Sequence, residues 1–194
     1  MIAFAAATFF LLITPGPGVL TTAGVGSAFG FRAGLPYLCG IVFGSVMVMA
    51  AVATGLAALV LSYPPVRTVL IVLSVAYLVY LAGRIALTGS RVAFIDADRP
   101  LGFANGVALQ IVNPKAYAVF TTLFSGFAFY PANTVLEALA KAMIFTSISV
   151  PVHMLWLYAG DRLKRLELSA GATRAINMGM AAAMLAVVAL ALIF

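Results

Sequence analysis

The sequence predicts an all-α integral membrane protein with six transmembrane helices, arranged as two inverted three-helix repeats in which the first and fourth helices are broken. Three observations support this fold class. Hydrophobic residues make up 64% of the 194 residues and charged residues only 8%, unlike the composition of soluble domains. The charges fall between apolar runs long enough to cross a bilayer. Proline-containing turns, Thr14-Pro15-Gly16-Pro17 and Asn113-Pro114-Lys115, interrupt the first and fourth runs at corresponding depths.

The first half of the chain contains three predicted spans, at residues 2–29, 35–61 and 66–88. No charge precedes Arg32 and none lies between Arg32 and Arg67, so each interval is long enough for one span. Pro36 stands beside the start of the second span and Pro64 beside its end, where proline is tolerated or terminates a helix. These spans form the first predicted repeat, residues 1–88.

The second half repeats this organisation with spans at 101–130, 133–160 and 172–194. A polar segment, residues 89–100, forms the predicted cytoplasmic linker between the halves. No charge lies between Lys141 and Asp161 and none follows Arg174. Because each half has an odd number of spans, the second repeat, residues 101–194, must enter the membrane upside down relative to the first. Inverted repeats with paired broken helices are typical of secondary transporters.

The distribution of Lys and Arg predicts the orientation. The first, third and fifth connections hold most of the basic residues: Arg32, Arg84, Arg91, Arg99, Arg162, Lys164, Arg165 and Arg174. The opposite side has Arg67 and, if it lies outside the span, Lys141. Basic loops stay in the cytoplasm, so both termini are expected outside it. The net charge of +6 is therefore assigned to contact with membrane lipid, and no nucleic-acid partner is expected.

The two breaks are the predicted binding site. Beyond each break a new half-helix begins with free N–H groups and a positive dipole end, which favour a carboxylate. The preceding half-helix ends in free carbonyl groups, which favour a cation. Facing breaks could thus hold a small zwitterion, although prolines also kink membrane helices for packing alone. The candidate substrate-binding residues are Thr14, Pro15, Gly16, Pro17, Asn113, Pro114 and Lys115.

Lys115 is the only charge between Arg99 and Glu137. A lysine in mid-membrane costs about 3 kcal/mol on insertion scales, so its ammonium group is expected to face a cavity or a partner. It could bind a substrate carboxylate or act as a gate. Alternatively, it could cap carbonyl groups of the preceding half-helix or reach the membrane surface.

The whole chain resembles the LysE/RhtB amino-acid exporters. The motifs that carry the resemblance occur in the family's order: Thr14-Pro15-Gly16-Pro17, the glycines Gly34, Gly40 and Gly44, Tyr77-Leu78-Val79-Tyr80-Leu81-Ala82-Gly83-Arg84, Phe103-Ala104-Asn105-Gly106 and Asn113-Pro114-Lys115-Ala116. The resemblance implies a six-span exporter of amino acids or similar metabolites in the inner membrane, driven by proton antiport. Members of the family commonly have an acidic residue directly after the second-span glycine, where this chain has Ser45.

Ser45 and His153 are the candidates for proton coupling. With no buried carboxylate expected in the spans, His153 is the residue that titrates near neutral pH. The alternative is a neutral histidine bonded to a carbonyl freed by Pro151. Ser149 lies four positions earlier on the same face, but no third group that would orient a hydrolase pair is evident, so no enzymatic activity is expected.

Two other functions remain open at this point. One is export of another small cation or metabolite, and the other is a non-transporting membrane scaffold. Glycines spaced four apart, at Gly26 and Gly30 and at Gly40 and Gly44, would allow close helix packing within the chain or in a homodimer. No cofactor and no metal site are expected.

Overall fold

The structure is a computed structural model that describes residues 1–57, 62–87, 100–166 and 169–193. Every regular element in these ranges is a helix, as predicted. The helices are α1 (Ile2–Ile13), α2 (Pro17–Phe29), α3 (Phe31–Ala53), α4 (Pro64–Leu87), α5 (Phe103–Val112), α6 (Pro114–Gly126), α7 (Thr134–Arg165) and α8 (Ala170–Ile193).

Candidate membrane spans occur in both halves of the chain. By length and composition, two stretches of the described residues can cross a bilayer: α3, and residues Thr134–Leu163 of α7. Helices α1 and α2 form a third candidate if the pair, bent by 55°, is a single span. These findings confirm an all-helical chain with apolar spans. The six-span inverted repeat stays a prediction, as does its division at residues 89–100.

Both predicted breaks are present. Helix α1 ends before Thr14, whose backbone is extended, and α2 begins at Pro17. Helix α5 ends before Asn113, also extended, and α6 begins at Pro114. In both cases proline is the first residue of the new helix, where a missing N–H is not needed for an intrahelical bond and the fixed φ suits the first turn.

Two predicted boundaries are wrong. Helix α3 starts at Phe31, so Pro36 lies inside it rather than beside its start. Gly30 explains the early start, since its φ of 89° turns the chain sharply after α2 and α3 follows without a loop. Helix α7 continues past residue 160 to Arg165. The predicted linker lies outside the described residues, except for Pro100.

Glycines bring the helix backbones into contact at two crossings. A Cβ added to Gly26 would lie 2.1 Å from the Leu157 carbonyl oxygen, and one added to Gly160 would lie 1.9 Å from that of Ala23, so α2 and α7 touch directly. Gly40 of α3 approaches the Phe103 carbonyl of α5 in the same way. The glycine runs predicted to pack are therefore used within the chain.

On the side of the breaks away from the glycine crossings, the helices pack differently. Here α1, α6 and α7 meet through large side chains, above all Phe4, Phe120 and Phe145, which are fully or almost fully buried. The rings of Phe120 and Phe145 stand 4.7 Å apart between centroids. The two breaks lie between this aromatic cluster and the glycine crossings.

Candidate functional site

The two breaks meet in the folded chain. The Lys115 ammonium group, in the first turn of α6, donates a hydrogen bond of 2.6 Å to the carbonyl oxygen of Thr14, the residue that ends α1. Its side chain crosses Gly16, where an added Cβ would lie 2.8 Å from Lys115 Cδ. A side chain at position 16 would therefore displace the Lys115 side chain from this path. The bond joins positions 101 residues apart and links the two halves at their breaks.

A cavity of about 40 Å³ lies beside this bond. It has room for a few water molecules but is smaller than an amino acid, so its walls must move to admit one. Polar groups line one side and apolar groups the other. The lining residues are Leu11, Leu12, Gly16, Gly18, Val19, Gln110, Asn113, Lys115, Ala116, Val119, Phe120, Phe145 and His153.

The two half-helix starts beside the cavity differ. Asn113 caps α6, because its side-chain oxygen accepts a hydrogen bond of 3.1 Å from the Lys115 backbone N–H. At α2 the capping position is Gly16, which has no side-chain cap hydrogen bond. The positive end of α2 therefore faces the cavity without a side-chain cap, whereas the end of α6 has one.

A chain of hydrogen bonds joins Ser45 to the second break. Ser45 Oγ donates to the Ile41 carbonyl at 2.9 Å and accepts a short bond from the Gln110 side-chain NH₂ group. Gln110 Oε1 in turn accepts from Asn113 Nδ2 at 2.8 Å. All three side chains are buried. Of the three, Gln110 and Asn113 line the cavity, and Ser45 lies behind Gln110.

His153 faces the same cavity from α7 and is 2% exposed. Its Nδ1 lies 2.9 Å from the Ser149 carbonyl oxygen and 3.2 Å from Ser149 Oγ. Because a carbonyl oxygen only accepts hydrogen bonds, Nδ1 carries the hydrogen of the neutral ring. The lone pair is then on Nε2, which has no hydrogen-bond partner among the described residues. Ser149 thus orients the imidazole through its backbone and hydroxyl groups.

Some of the predicted site residues line the cavity and others only shape it. Gly16, Asn113, Lys115 and His153 are lining residues. The proline residues of the breaks, Pro15, Pro17 and Pro114, set the helix ends but do not line the cavity, and Thr14 contributes its carbonyl oxygen at the edge. The sequence interpretation missed Gln110, although a lone amide three positions before a helix break in an apolar run is an available signal.

The expectation that the spans hold no buried carboxylate is wrong for α7, where Asp161 is buried and Glu137 is partly buried. Glu137, in the first turn, is only 15% exposed and pairs with the buried Lys141 at 2.8 Å. Lys141 also donates to the carbonyl groups of Phe124 and Phe127, at 3.1 and 2.6 Å, and Glu137 accepts from the Phe129 backbone N–H at 2.7 Å. Glu137 and Lys141 thus hold the turn between α6 and α7.

Asp161 is the buried carboxylate of α7 and lies at the glycine crossing with α2. Its side-chain oxygen would lie 3.3 Å from a Cβ added to Gly30, and the residue is 9% exposed. The span was predicted to end at residue 160, and this excluded Asp161. Neither Asp161 nor Glu137 lines the cavity at the breaks.

Comparison with known proteins agrees with the resemblance read from the motifs. The profile of the LysE type translocator family matches residues 9–194. Cysteine/O-acetylserine efflux proteins of Escherichia coli (strain K12) and Shigella flexneri are 27% identical to this chain over 164 residues, 84% of each length. That of Salmonella choleraesuis (strain SC-B67) is 27% identical over 163 residues, which cover 84% of this chain and 83% of the relative. No solved structure matches. Because the family profile covers nearly the whole chain, this protein belongs to the LysE type translocator family.

Proposed function

We propose that the protein exports amino acids or closely related small metabolites across the inner membrane, with its binding site at the paired helix breaks. Family membership and relatives named as efflux proteins support an exporter. The observation that carries the site is the hydrogen bond from Lys115 to the Thr14 carbonyl, because it joins the two breaks beside a cavity whose lining includes polar side chains. In this proposal the breaks belong to a six-span inverted repeat.

The polarity of the cavity favours small substrates with polar groups. Its lining offers the uncapped start of α2 and the Lys115 ammonium group for a carboxylate, and amide and imidazole groups for other polar atoms. The apolar wall, which includes Phe120 and Phe145, would contact the rest of the substrate. The relatives carry the names of cysteine and O-acetylserine, so these are the first substrates to test.

Coupling to protons is the second part of the proposal. Among the described residues, His153 and Lys115 are the titratable side chains of the cavity wall, and of the two only an imidazole has an ordinary pKa near neutral pH, while Ser45 reaches the cavity through Gln110. We assign the coupling role to His153. Ser45 has no carboxylate to carry a proton, and its hydroxyl holds Gln110 in place.

The decisive experiment is transport by purified protein in proteoliposomes. Vesicles loaded with labelled L-cysteine, O-acetyl-L-serine, L-threonine or L-lysine would be tested with and without an imposed pH gradient. We expect efflux of at least one small polar amino acid above that of protein-free vesicles, accelerated when protons can exchange inward. Absence of protein-dependent flux for all four, in protein shown to be folded, would contradict the function. Flux unaffected by the gradient would contradict only the coupling.

A further inference from the structure

We propose that Gly18, Gln110 and His153 form a subsite for the amino group of the substrate, an inference that rests on the proposed export of amino acids. The subsite is the space beside Gly18, in the first turn of α2, on the side where any other residue would carry its side chain. Two hydrogen-bond acceptors converge there, and no side chain of the described residues fills it.

The geometry defines the space. A Cβ added to Gly18 would lie 3.6 Å from His153 Nε2 and 3.8 Å from Gln110 Oε1. Gly18, Gln110 and His153 are buried and line the cavity at the breaks. A small group that enters the space left open by the missing side chain could therefore approach both atoms.

Both atoms are fixed as acceptors by their other bonds. At His153, Nδ1–H donates to the Ser149 carbonyl, which leaves the lone pair on Nε2. At Gln110, the orientation of the amide follows from a chain of bonds. The Ile41 carbonyl can only accept, so Ser45 donates to it and must accept from Gln110 Nε2. Oε1 then faces Asn113 Nδ2 and Gly18, with a second lone pair available. Ser45 is thus a positioning residue.

Two neutral acceptors are what an ammonium group requires. In the described part of the chain, the only charged side chain that lines the cavity is Lys115 of α6, and its ammonium group is directed at Thr14 on the Gly16 side. Gly18 of α2 and Gln110 of α5, both uncharged, border the space at His153 Nε2, and Lys115 of α6 is the charged group that acts on His153 across the cavity. An amino acid would therefore lie with its carboxylate toward Lys115 and its amino group toward Gly18.

This arrangement makes substrate and proton compete for one atom. The Nε2 lone pair can accept a hydrogen bond from the substrate ammonium group or can take up a proton. Once protonated, the imidazolium donates at Nε2 and repels an ammonium group. Proton binding and amine binding then exclude each other, as an antiporter requires, without a carboxylate in the cavity.

Gly18→Ala tests the subsite directly. Its methyl group would contact both acceptors at ordinary van der Waals distance, so it fills the space without straining the fold. The probe is counterflow of labelled L-cysteine under reducing conditions, with unlabelled L-cysteine and 3-mercaptopropionate, the same molecule without the amino group, as competitors. Losing hydrogen bonds to a charged group lowers affinity by about 10- to 100-fold. We expect wild type to bind cysteine more tightly than 3-mercaptopropionate by about that factor. Gly18→Ala should lose this preference, because the substitution weakens the binding of cysteine and leaves that of 3-mercaptopropionate unchanged.

Two further variants separate the acceptors from general effects. Gln110→Leu should raise the cysteine KM by about 10-fold or more, since one acceptor is lost. His153→Gln cannot titrate, so the pH dependence of the cysteine KM should disappear, whatever its effect on the rate of counterflow. Gly179→Ala is the control for the glycine substitution, because an added Cβ there meets nothing within 4 Å. Thermal unfolding would verify that each variant is folded.

The outcomes separate the two proposals. If wild type moves none of the four amino acids cysteine, O-acetylserine, threonine and lysine, the export function fails and the subsite with it. If wild type moves cysteine but does not prefer it over 3-mercaptopropionate, or if Gly18→Ala keeps the preference, the amino-group subsite is wrong and the export function stands.

Discussion

Lys115 shows how a single charge is accommodated at the breaks. Its ammonium group is bound by a backbone carbonyl of the other half rather than by a carboxylate. The carbonyl at the end of α1 has no intrahelical partner, so it can accept this bond at no cost to the helix. An ammonium group has three N–H donors, and this contact uses one of them. The others are available for a substrate carboxylate.

Lys115→Met is expected to reduce transport per molecule far more than it reduces protein level, by about 10-fold or more, because a charged hydrogen bond to the carboxylate is lost. Removing a mid-membrane charge should not hinder insertion. The measurement is efflux normalised to the amount of protein in the vesicles.

Lys141→Met is the matched control. This lysine is also buried, but its contacts lie away from the cavity. It pairs with Glu137 and donates hydrogen bonds to two backbone carbonyl groups. Its loss leaves a poorly solvated carboxylate without its cation, so we expect lower protein level and lower thermal stability, with transport per surviving molecule unchanged. Equal transport per molecule in Lys115→Met and wild type would leave Lys115 a structural role only.

At the residue scale, the sequence identified the groups at the breaks and missed those behind them. Placing a titratable side chain in an apolar span costs free energy, so such a residue is expected to have a role in the protein. Lys115 and His153 were predictable for this reason. Gln110 carries a sequence signal as a lone amide before the break, but its bond to Ser45, 65 positions away in the chain, was not predictable. Contacts of this kind depend on how helices cross, which helical periodicity does not reveal.

At the element scale, the breaks were predictable and several helix ends were not. Proline lacks an N–H group and fixes φ, so Pro17 and Pro114 each determine where a new helix starts. The end of α7 was placed at residue 160 because charged residues follow. Charge alone does not end a helix, and residues 161–165 contain neither glycine nor proline, so α7 continues to Arg165.

The crossing of α2 and α7 depends on glycine. At Gly160 an added Cβ would lie 1.9 Å from the Ala23 carbonyl oxygen, so Gly160→Ala must push the two backbones apart. Overpacking of this kind costs about 1–3 kcal/mol. We expect a clear fall in the Tm of the detergent-solubilised protein, measured by a thermal-shift assay.

Gly179→Ala provides the comparison for this prediction as well. It makes the same substitution on α8 in open space, where alanine favours the helix by about 1 kcal/mol over glycine. Its Tm should equal or exceed that of wild type. A Gly160→Ala protein as stable as Gly179→Ala would mean that α2 and α7 do not touch as described.

At the scale of the whole molecule, the two sides of the cavity are closed by different means. Backbone contacts at glycines join α2 to α7 and α3 to α5, whereas side chains such as Phe120 and Phe145 fill the space between α1, α6 and α7. Rotating an aromatic side chain is easier than separating packed helices. The aromatic side is therefore the one expected to open first from this conformation.

The predicted orientation assigns these two sides to the two faces of the membrane. The count of Lys and Arg places Arg32, at the glycine side, in the cytoplasm and the α6–α7 turn outside. The conformation would then be closed toward the cytoplasm by glycine crossings and toward the exterior by aromatic side chains. In an exporter, this conformation would form after the substrate has bound from the cytoplasm and before the substrate is released outside.

Cysteine labelling in intact cells tests this orientation. The native Cys39 is exposed, so it would first be replaced by serine. Single cysteines would then be introduced by Ala132→Cys, in the α6–α7 turn, and by Arg32→Cys at the start of α3, both exposed positions. Positive charges are retained in the cytoplasm during insertion, so an impermeant maleimide should label Ala132→Cys at once and Arg32→Cys only after permeabilisation. A cysteine added after Phe194 should be labelled like Ala132→Cys. The reverse pattern would place the termini in the cytoplasm. The aromatic side would then face the cytoplasm, from which an exporter binds its substrate.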